Sequence, residues 1–237
     1  MTHTFSSLEL QPELLQAVSD LGFTEPTPIQ LGVIPHMLHG RDVIGQAQTG
    51  TGKTAAFGLP LLQQLDPQND AIQALVLAPT RELAQQVSQA IYELGQHLNV
   101  RPLAIYGGQS YTRQISRIQK GVHVIVGTPG RLLDLIRQGK LDLSGVQTLV
   151  LDEADEMLSM GFIEDIEAIL NETPAERQTA LFSATMPSEI RRLANKYMRQ
   201  PETVTIAKEQ VTAATIVQSY YLVNEEDKLA VLTRLFE

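Results

Sequence analysis

Three short strings in this chain carry side chains suited to phosphate chemistry. The first is Ala47–Thr54, which reads AQTGTGKT. A glycine-rich stretch of this kind lets backbone N–H groups converge on an anion at the start of a helix. Lys53 brings a cation that reaches the β- and γ-phosphates of a nucleotide, and Thr54 a hydroxyl suited to magnesium. Gln48, Thr49, Gly50, Thr51 and Gly52 complete the candidate cradle. Ala47 stands where the strict pattern has its first glycine, so the string depends on its context: an apolar run before it and a helical stretch after it. A plain surface turn is the competing reading.

The second string is Asp152-Glu153-Ala154-Asp155, which directly follows apolar Leu149–Leu151. Carboxylates at the end of a buried strand are costly unless they hold a cation or hydrogen bonds. Asp152 is placed as the magnesium-side carboxylate of a nucleotide site, and Glu153 as the group that orients or deprotonates an attacking water. The bland alternative is a solvated acidic turn. The third string is Ser183-Ala184-Thr185, whose two hydroxyls can hydrogen-bond Asp155 and sense a γ-phosphate. A helix cap before Pro187 is the alternative there.

The elements that must position these strings are legible as short apolar runs. They are Asp42–Ala47, Ala74–Thr80, Pro102–Tyr106, His123–Thr128, Thr148–Asp152, Thr179–Phe182 and Thr203–Ala207. Rich in Val, Ile and Leu and without polar alternation, they read as strands buried on both faces of a parallel sheet. Helical stretches such as Arg81–Leu98, Arg131–Gln138 and Ile163–Leu170 lie between them. The expected fold is therefore α/β, a doubly wound parallel sheet with flanking helices. Each polar string begins where a strand ends, and in such folds ligands bind outside the carboxyl ends of the strands.

Composition narrows the class further. The 237 residues include no cysteine, which excludes disulfides and thiolate metal sites and fits a reducing cytoplasm. No apolar run is long enough to span a membrane, and MTHTFSSLEL is not a secretory signal. The formal net charge of −9 argues, taken alone, against a nucleic-acid partner, so any such claim has to rest on local residues. Towards the C-terminus, Ile216–Val223 reads as a strand. Asn224 can cap a following helix that carries Leu229, Leu232, Leu235 and Phe236 on one face. Residues 209–237 are therefore expected to be a linker and the cut-short opening of a second domain, with 1–208 forming the first. A C-terminal helix packed on the first domain is the alternative.

Taken together, the phosphate loop, DEAD, SAT, Pro79–Ala84 (PTRELA) and Thr128–Arg131 (TPGR) resemble the DEAD-box RNA helicases, with each motif in the family's order. Gly22–Gln30 (GFTEPTPIQ) is similar to that family's adenine-recognition motif, within an adenine-recognition segment spanning 1–30, and Phe5 stands at its upstream aromatic position. The resemblance implies a RecA-like P-loop NTPase domain over 1–208, ATP and Mg²⁺ as cofactors, and RNA as partner. It implies that Gln30 reads the adenine edge and Phe23 stacks on the ring; core packing is the other reading of Phe23. Lys53, Asp152, Glu153, Ser183 and Thr185 would form the catalytic set, with Thr54 and Asp152 at the metal. RNA would be held at its backbone, with little sequence preference, by Arg81, the main chain of Gly107 and Gly108, Thr128, Gly130 and Arg131. The likeness within the family is to bacterial cold-shock and ribosome-assembly members, implying ribosome-assembly or RNA-decay partners and a second RecA-like domain in the same protein. An ATP-gated RNA clamp without turnover, or a P-loop ATPase acting on DNA or protein, are the rival expectations.

Overall fold

The computed structural model describes residues 4–206 and 219–236, in two units, Met1–Ala207 and Lys208–Glu237. In the first unit the chain alternates strand and helix. The strands are β1 (Val43–Gln46), β2 (Ala74–Leu77), β3 (Pro102–Ile105), β4 (Val124–Gly127), β5 (Thr148–Leu151), β6 (Gln178–Ser183) and β7 (Glu202–Thr205). They form one seven-stranded sheet in the order β3-β4-β2-β5-β6-β1-β7, and every pairing is parallel. β2, β4, β5 and β6 are buried at every position, whereas β3 and β7, at the two edges, alternate. The expected doubly wound sheet is present.

Helices cover both faces. On one lie α1 (Pro12–Asp20), α2 (Pro28–Leu38), α3 (Lys53–Gln63) and α4 (Arg81–Leu94), whose apolar stripes meet Val43, Val76, Val126, Val150 and Phe182 from the sheet. The other face carries α5 (Tyr111–Ile118), α6 (Pro129–Arg137), α7 (Ala154–Ser159), α8 (Ile163–Asn171) and α9 (Ser188–Tyr197), packed on Leu75, Ile125, Leu149 and Leu181. Alternate residues of one strand thus serve two separate cores, which is why the strands read as unbroken apolar runs.

β6 runs one residue beyond its apolar run at each end, whereas the other strands are shorter than theirs because terminal residues do other work. Thr80 leaves β2 and caps α4, its hydroxyl accepting from the Leu83 N–H at 3.1 Å. Asp152 leaves β5 altogether. α4 stops at Leu94 before Gly95, so the expected extension to Leu98 is not helical.

In the second unit, a 3-10 turn (Glu225–Asp227) leads into α10 (Lys228–Leu235). Of the expected strand over 216–223, residues 216–218 lie outside the described residues, and Ser219–Val223 forms no strand. A single strand without a ladder partner does not hold itself extended. Asn224 precedes the helical segment, but its side chain donates to the Asp227 carboxylate at 3.3 Å and does not cap. No helix among the described residues is long and apolar enough to cross a membrane.

β1 approaches the rest of the core through Gly45, where an added Cβ would lie 2.6 Å from the Phe182 ring. That ring is itself locked against Phe57 of α3, centroids 5.2 Å apart. Gly45→Ala should cost about 1–3 kcal/mol through overpacking. Urea denaturation of the variant checks this, and an unchanged midpoint would show that the ring has room to turn.

Candidate functional site

The three polar strings are gathered by three adjacent strands. β6 lies between β1 and β5, and the register aligns Gln46 with Ser183 and Leu151 with Leu181. The carboxyl ends of β1, β6 and β5 therefore deliver the phosphate loop, Ser183-Ala184-Thr185 and Asp152-Glu153 to one edge of the sheet.

Beyond Gln46 the chain turns into α3 with Gly50 and Gly52 at φ of 84° and 92°, a region open to glycine without strain. α3 begins at Lys53, so its first free N–H groups face the loop. The Lys53 ammonium is buried and donates to the Ala47 carbonyl at 3.2 Å. Gln48, Thr49 and Gly50 are exposed on the rim, and Thr51 closes the turn by donating to the Gln48 carbonyl at 2.8 Å. Thr54 sits half-buried at the second position of α3.

Across from the loop, Asp152 is 3% exposed, and its Oδ1 is buried without a hydrogen-bond partner. Burial pushes its carboxyl up to about 6, restrained by the nearby Lys53 charge and augmented by Glu153. Lys53 and Asp152, far apart in sequence, thus share one electrostatic environment. An orphaned carboxylate oxygen at the end of β5 and a half-buried hydroxyl in the first turn of α3 are donors of the kind that fit a hard, oxygen-seeking cation such as magnesium, which takes few protein ligands. Among the described residues there is no cluster of three acidic or imidazole groups that could hold a metal unaided.

Glu153 adopts the left-handed backbone conformation, φ 53° and ψ 53°, where α7 begins. That conformation is uncommon for a side-chain-bearing residue and costs energy. It turns the Glu153 carboxylate to the phosphate loop, where the Thr49 hydroxyl donates to it at 3.2 Å. The SAT triplet belongs to the same cluster. Thr185 donates to the Asp155 carboxylate through its hydroxyl at 2.8 Å and its N–H at 2.9 Å, and Ser183 Oγ accepts from the Asp155 N–H at 3.2 Å. Burial raises the Asp155 carboxyl, but the bonds from Thr185 and Ser183 outweigh it and hold the group below its ordinary range. The triplet does not cap α9, whose start has no side-chain cap.

Gln30 is buried at the start of α2. Its Oε1 accepts from the Thr27 N–H at 2.9 Å and its Nε2 donates to the Gly52 carbonyl at 3.1 Å. Gln30 thus has a structural role besides the one the resemblance implies, and the spacing Thr27-x-x-Gln30 is the sequence signal of that capping arrangement. An amide has two N–H donors and two acceptor lone pairs, so one of each is left over. Phe23 is 41% exposed, with its ring 6.3 Å from that of buried Phe5, so it is not a core residue.

The remaining motif residues occupy the other half of the same edge, at the carboxyl ends of β2, β4 and β3. The Arg81 guanidinium lies 5.9 Å from the Tyr106 ring centroid and within 4 Å of the Cβ position of Gly108. Gly107 and Gly108 are exposed, and Gly108 has φ 82°. Arg131 donates to the Gln109 carbonyl at 3.1 Å and to Gln114 Oε1 at 3.0 Å, and packs 3.9 Å over the Tyr111 ring. Gln114, buried on α5, donates in turn to the Tyr106 carbonyl at 3.0 Å. Thr128 and Gly130 flank the start of α6 and are half-buried. Tyr106, Gln109 and Gln114, to which the sequence assigns no site role, tie the three stretches together. The halves meet where the Asp152 N–H donates to the Leu77 carbonyl at 2.9 Å.

A parallel sheet with a glycine-rich loop running into a helix and an acidic pair two strands away defines a P-loop nucleotide-binding domain. The DEAD/DEAH box helicase family model matches residues 27–193, and the chain belongs to that family. It is 56% identical over 234 residues to the DEAD-box ATP-dependent RNA helicase CshA of Bacillus cereus, covering 99% of this chain and 45% of the relative. Against CshA of Bacillus subtilis the identity is 52% over 237 residues, all of this chain and 48% of the relative. Among solved structures, a DEAD box protein from Methanococcus jannaschii superposes with a TM-score of 0.84 at 44% identity, covering 99% of this chain and 63% of that one. The chain thus spans about half the length of the CshA relatives it matches.

The raised Asp152 value has a stability consequence. With a folded value near 6 against an ordinary 3.8, its favourable contribution is present below the ordinary value and is lost as pH rises through about 6. In metal-free buffer the protein should lose up to about 3 kcal/mol relative to Asp152→Asn between about pH 4 and pH 7. Parallel denaturation curves across that range check it, and two curves of the same pH dependence would refute it.

Proposed function

We propose that this chain is the nucleotide-binding half of an ATP-dependent RNA helicase. The observation that carries the reading is the division of one sheet edge. The ends of β1, β6 and β5 hold a phosphate loop and two carboxylates, while the adjoining ends of β2, β4 and β3 hold two arginines and exposed main chain. A nucleotide and a nucleic-acid backbone bound there lie side by side.

In this reading the α3 N-terminus and Lys53 take the β- and γ-phosphates of ATP. Thr54 and Asp152 would hold magnesium, which when bound neutralises charge on the β- and γ-phosphate oxygens. Glu153, aimed by its left-handed backbone, orients the attacking water and accepts its proton. Thr185 and Ser183, bonded to Asp155, connect that acid to β6. The free donor and acceptor of Gln30 match adenine N7 and N6, and the exposed face of Phe23 supports the ring. Arg81, Thr128, Gly130, Arg131 and the main chain of Gly107 and Gly108 grip phosphates of a single RNA strand. Such contacts position a strand without reading its sequence. A second RecA-like domain in the rest of the protein, with residues 209–237 as the linker and opening of it, would close over ATP and RNA and destabilise a local duplex.

Gln30→Ala in the whole protein should erase the preference for ATP over GTP, since a bidentate amide–base pair is worth about 1–3 kcal/mol. Competition binding with both nucleotides reads this directly, and an intact preference would remove Gln30 from adenine recognition. The 237 residues by themselves should hydrolyse ATP negligibly, because a charge supplied to the γ-phosphate from a second domain is worth roughly 10³–10⁵ in turnover. Robust RNA-stimulated hydrolysis by the chain alone contradicts that division of labour. In the whole protein, stimulation by RNA and not by DNA separates the helicase reading from a DNA-directed ATPase, and RNA retention without turnover would indicate a clamp.

A further inference from the structure

The chain is strongly acidic, yet its acids are unevenly spread. Residues 94–133, between Glu93 and Asp134, contain none of the 27 Asp and Glu, but carry Arg101, Arg113, Arg117, Lys120 and Arg131. This stretch builds β3, α5, β4 and the start of α6. Of its cations, Arg101 is paired with Asp70, and Arg131 belongs to the motif network described above. Among the described residues Arg113, Arg117 and Lys120 have no ion-pair partner, and all three side chains are exposed.

These side chains line hollows at the β3 edge of the sheet. One of about 370 Å³ is lined by Gly108, Gln109 and Ser110 together with Arg113 and Arg117. A second, of about 290 Å³, continues past Arg117 to Lys120 and Arg101. No carboxylate lines either hollow. Gly108 therefore belongs both to the proposed RNA track and to the wall of the first hollow.

We propose that Arg113 and Arg117, with Lys120 beyond them, extend the RNA track past Gly107 and Gly108 and hold further backbone phosphates. The inference rests on the RNA reading above and adds residues to it. Arg113 and Arg117 stand one helical turn apart, about 6 Å along α5, so each faces its own phosphate. Gln114 of α5 ties the helix to the track by joining the Arg131 guanidinium to the Tyr106 carbonyl. A peptide adding to β3 fits the same place less well. Pro102 has no N–H to offer, and the Tyr106 carbonyl is already taken by Gln114.

The test is fluorescence anisotropy of the whole protein with labelled single-stranded RNA and ATP over a salt series. Arg113→Gln/Arg117→Gln should bind RNA about tenfold more weakly, with a log–log salt slope shallower by about one to two. Arg113→Lys/Arg117→Lys should restore most of both, and circular dichroism of each variant shows whether it is folded. If the glutamine variant is folded and binds with unchanged affinity and slope while Arg131→Gln weakens binding, the extension is wrong and the RNA reading stands. If the unaltered protein does not bind RNA, that reading fails and this one with it. If the glutamine variant keeps RNA but loses an acidic protein ligand, the surface is a protein-docking site and the proposal is overturned.

Discussion

The structure turns on two buried charges of opposite sign, Lys53 and Asp152, brought to one place by strands that are not neighbours in sequence. Neither is comfortable there. The ammonium is satisfied by a main-chain carbonyl of its own loop, and the carboxylate keeps one oxygen without a partner and a proton affinity well above normal. Burying an incompletely paired carboxylate is costly, and the fold can sustain it because the three strands beneath are parallel and in register, with β5 and β6 buried throughout and β1 buried at all but its last residue. A site of this kind gains most from ligands that bring negative phosphates to the lysine and a cation to the aspartate. The same logic explains the strained backbone at Glu153, which is held by the turn from β5 into α7 and by the Thr49 hydroxyl.

The strand order does the rest of the organising. Across the sheet, β3, β4 and β2 present arginines and exposed glycines, and β5, β6 and β1 present Asp152 and Glu153, Ser183 and Thr185, and the glycine-rich loop with Lys53. In sequence the β1 group is separated from those of β5 and β6 by the whole of the other set, while the fold returns β1 to the side of β6 and joins the two blocks by the bond from the Asp152 N–H to the Leu77 carbonyl. Charge is sorted in the same way. An overall charge of −9 conceals a contiguous acid-free stretch that builds the β3 end of the sheet. The global value therefore says little about what that edge attracts, since screened electrostatics act over about a Debye length, near 8–10 Å in ordinary buffers.

Much of this was legible in the sequence, for identifiable reasons. Strands buried on both faces leave unbroken apolar runs, so the sheet and its parallel sense could be read, and Lys53, Asp152 and Thr185 follow at the run ends. What escaped was whatever depends on tertiary pairing. Gln114 lies in a polar helix with nothing to mark it, yet it is buried and bridges Arg131 to Tyr106. The coupling of Gln30 to Gly52 joins residues far apart in the chain, and only its local half, the spacing to Thr27, carried a signal. The expected strand before Asn224 failed over Ser219–Val223 because apolar, β-prone residues make a strand only beside a partner.

A crystal structure of the protein with magnesium and a non-hydrolysable ATP analogue would test directly whether Lys53 and Asp152 meet at one triphosphate. The γ-phosphate should lie beside the Lys53 ammonium, the metal on the side of Asp152 Oδ1, and the Glu153 carboxylate should face the γ-phosphate. A triphosphate bound elsewhere, or one seated on the loop with Asp152 turned away from the metal, would contradict that arrangement.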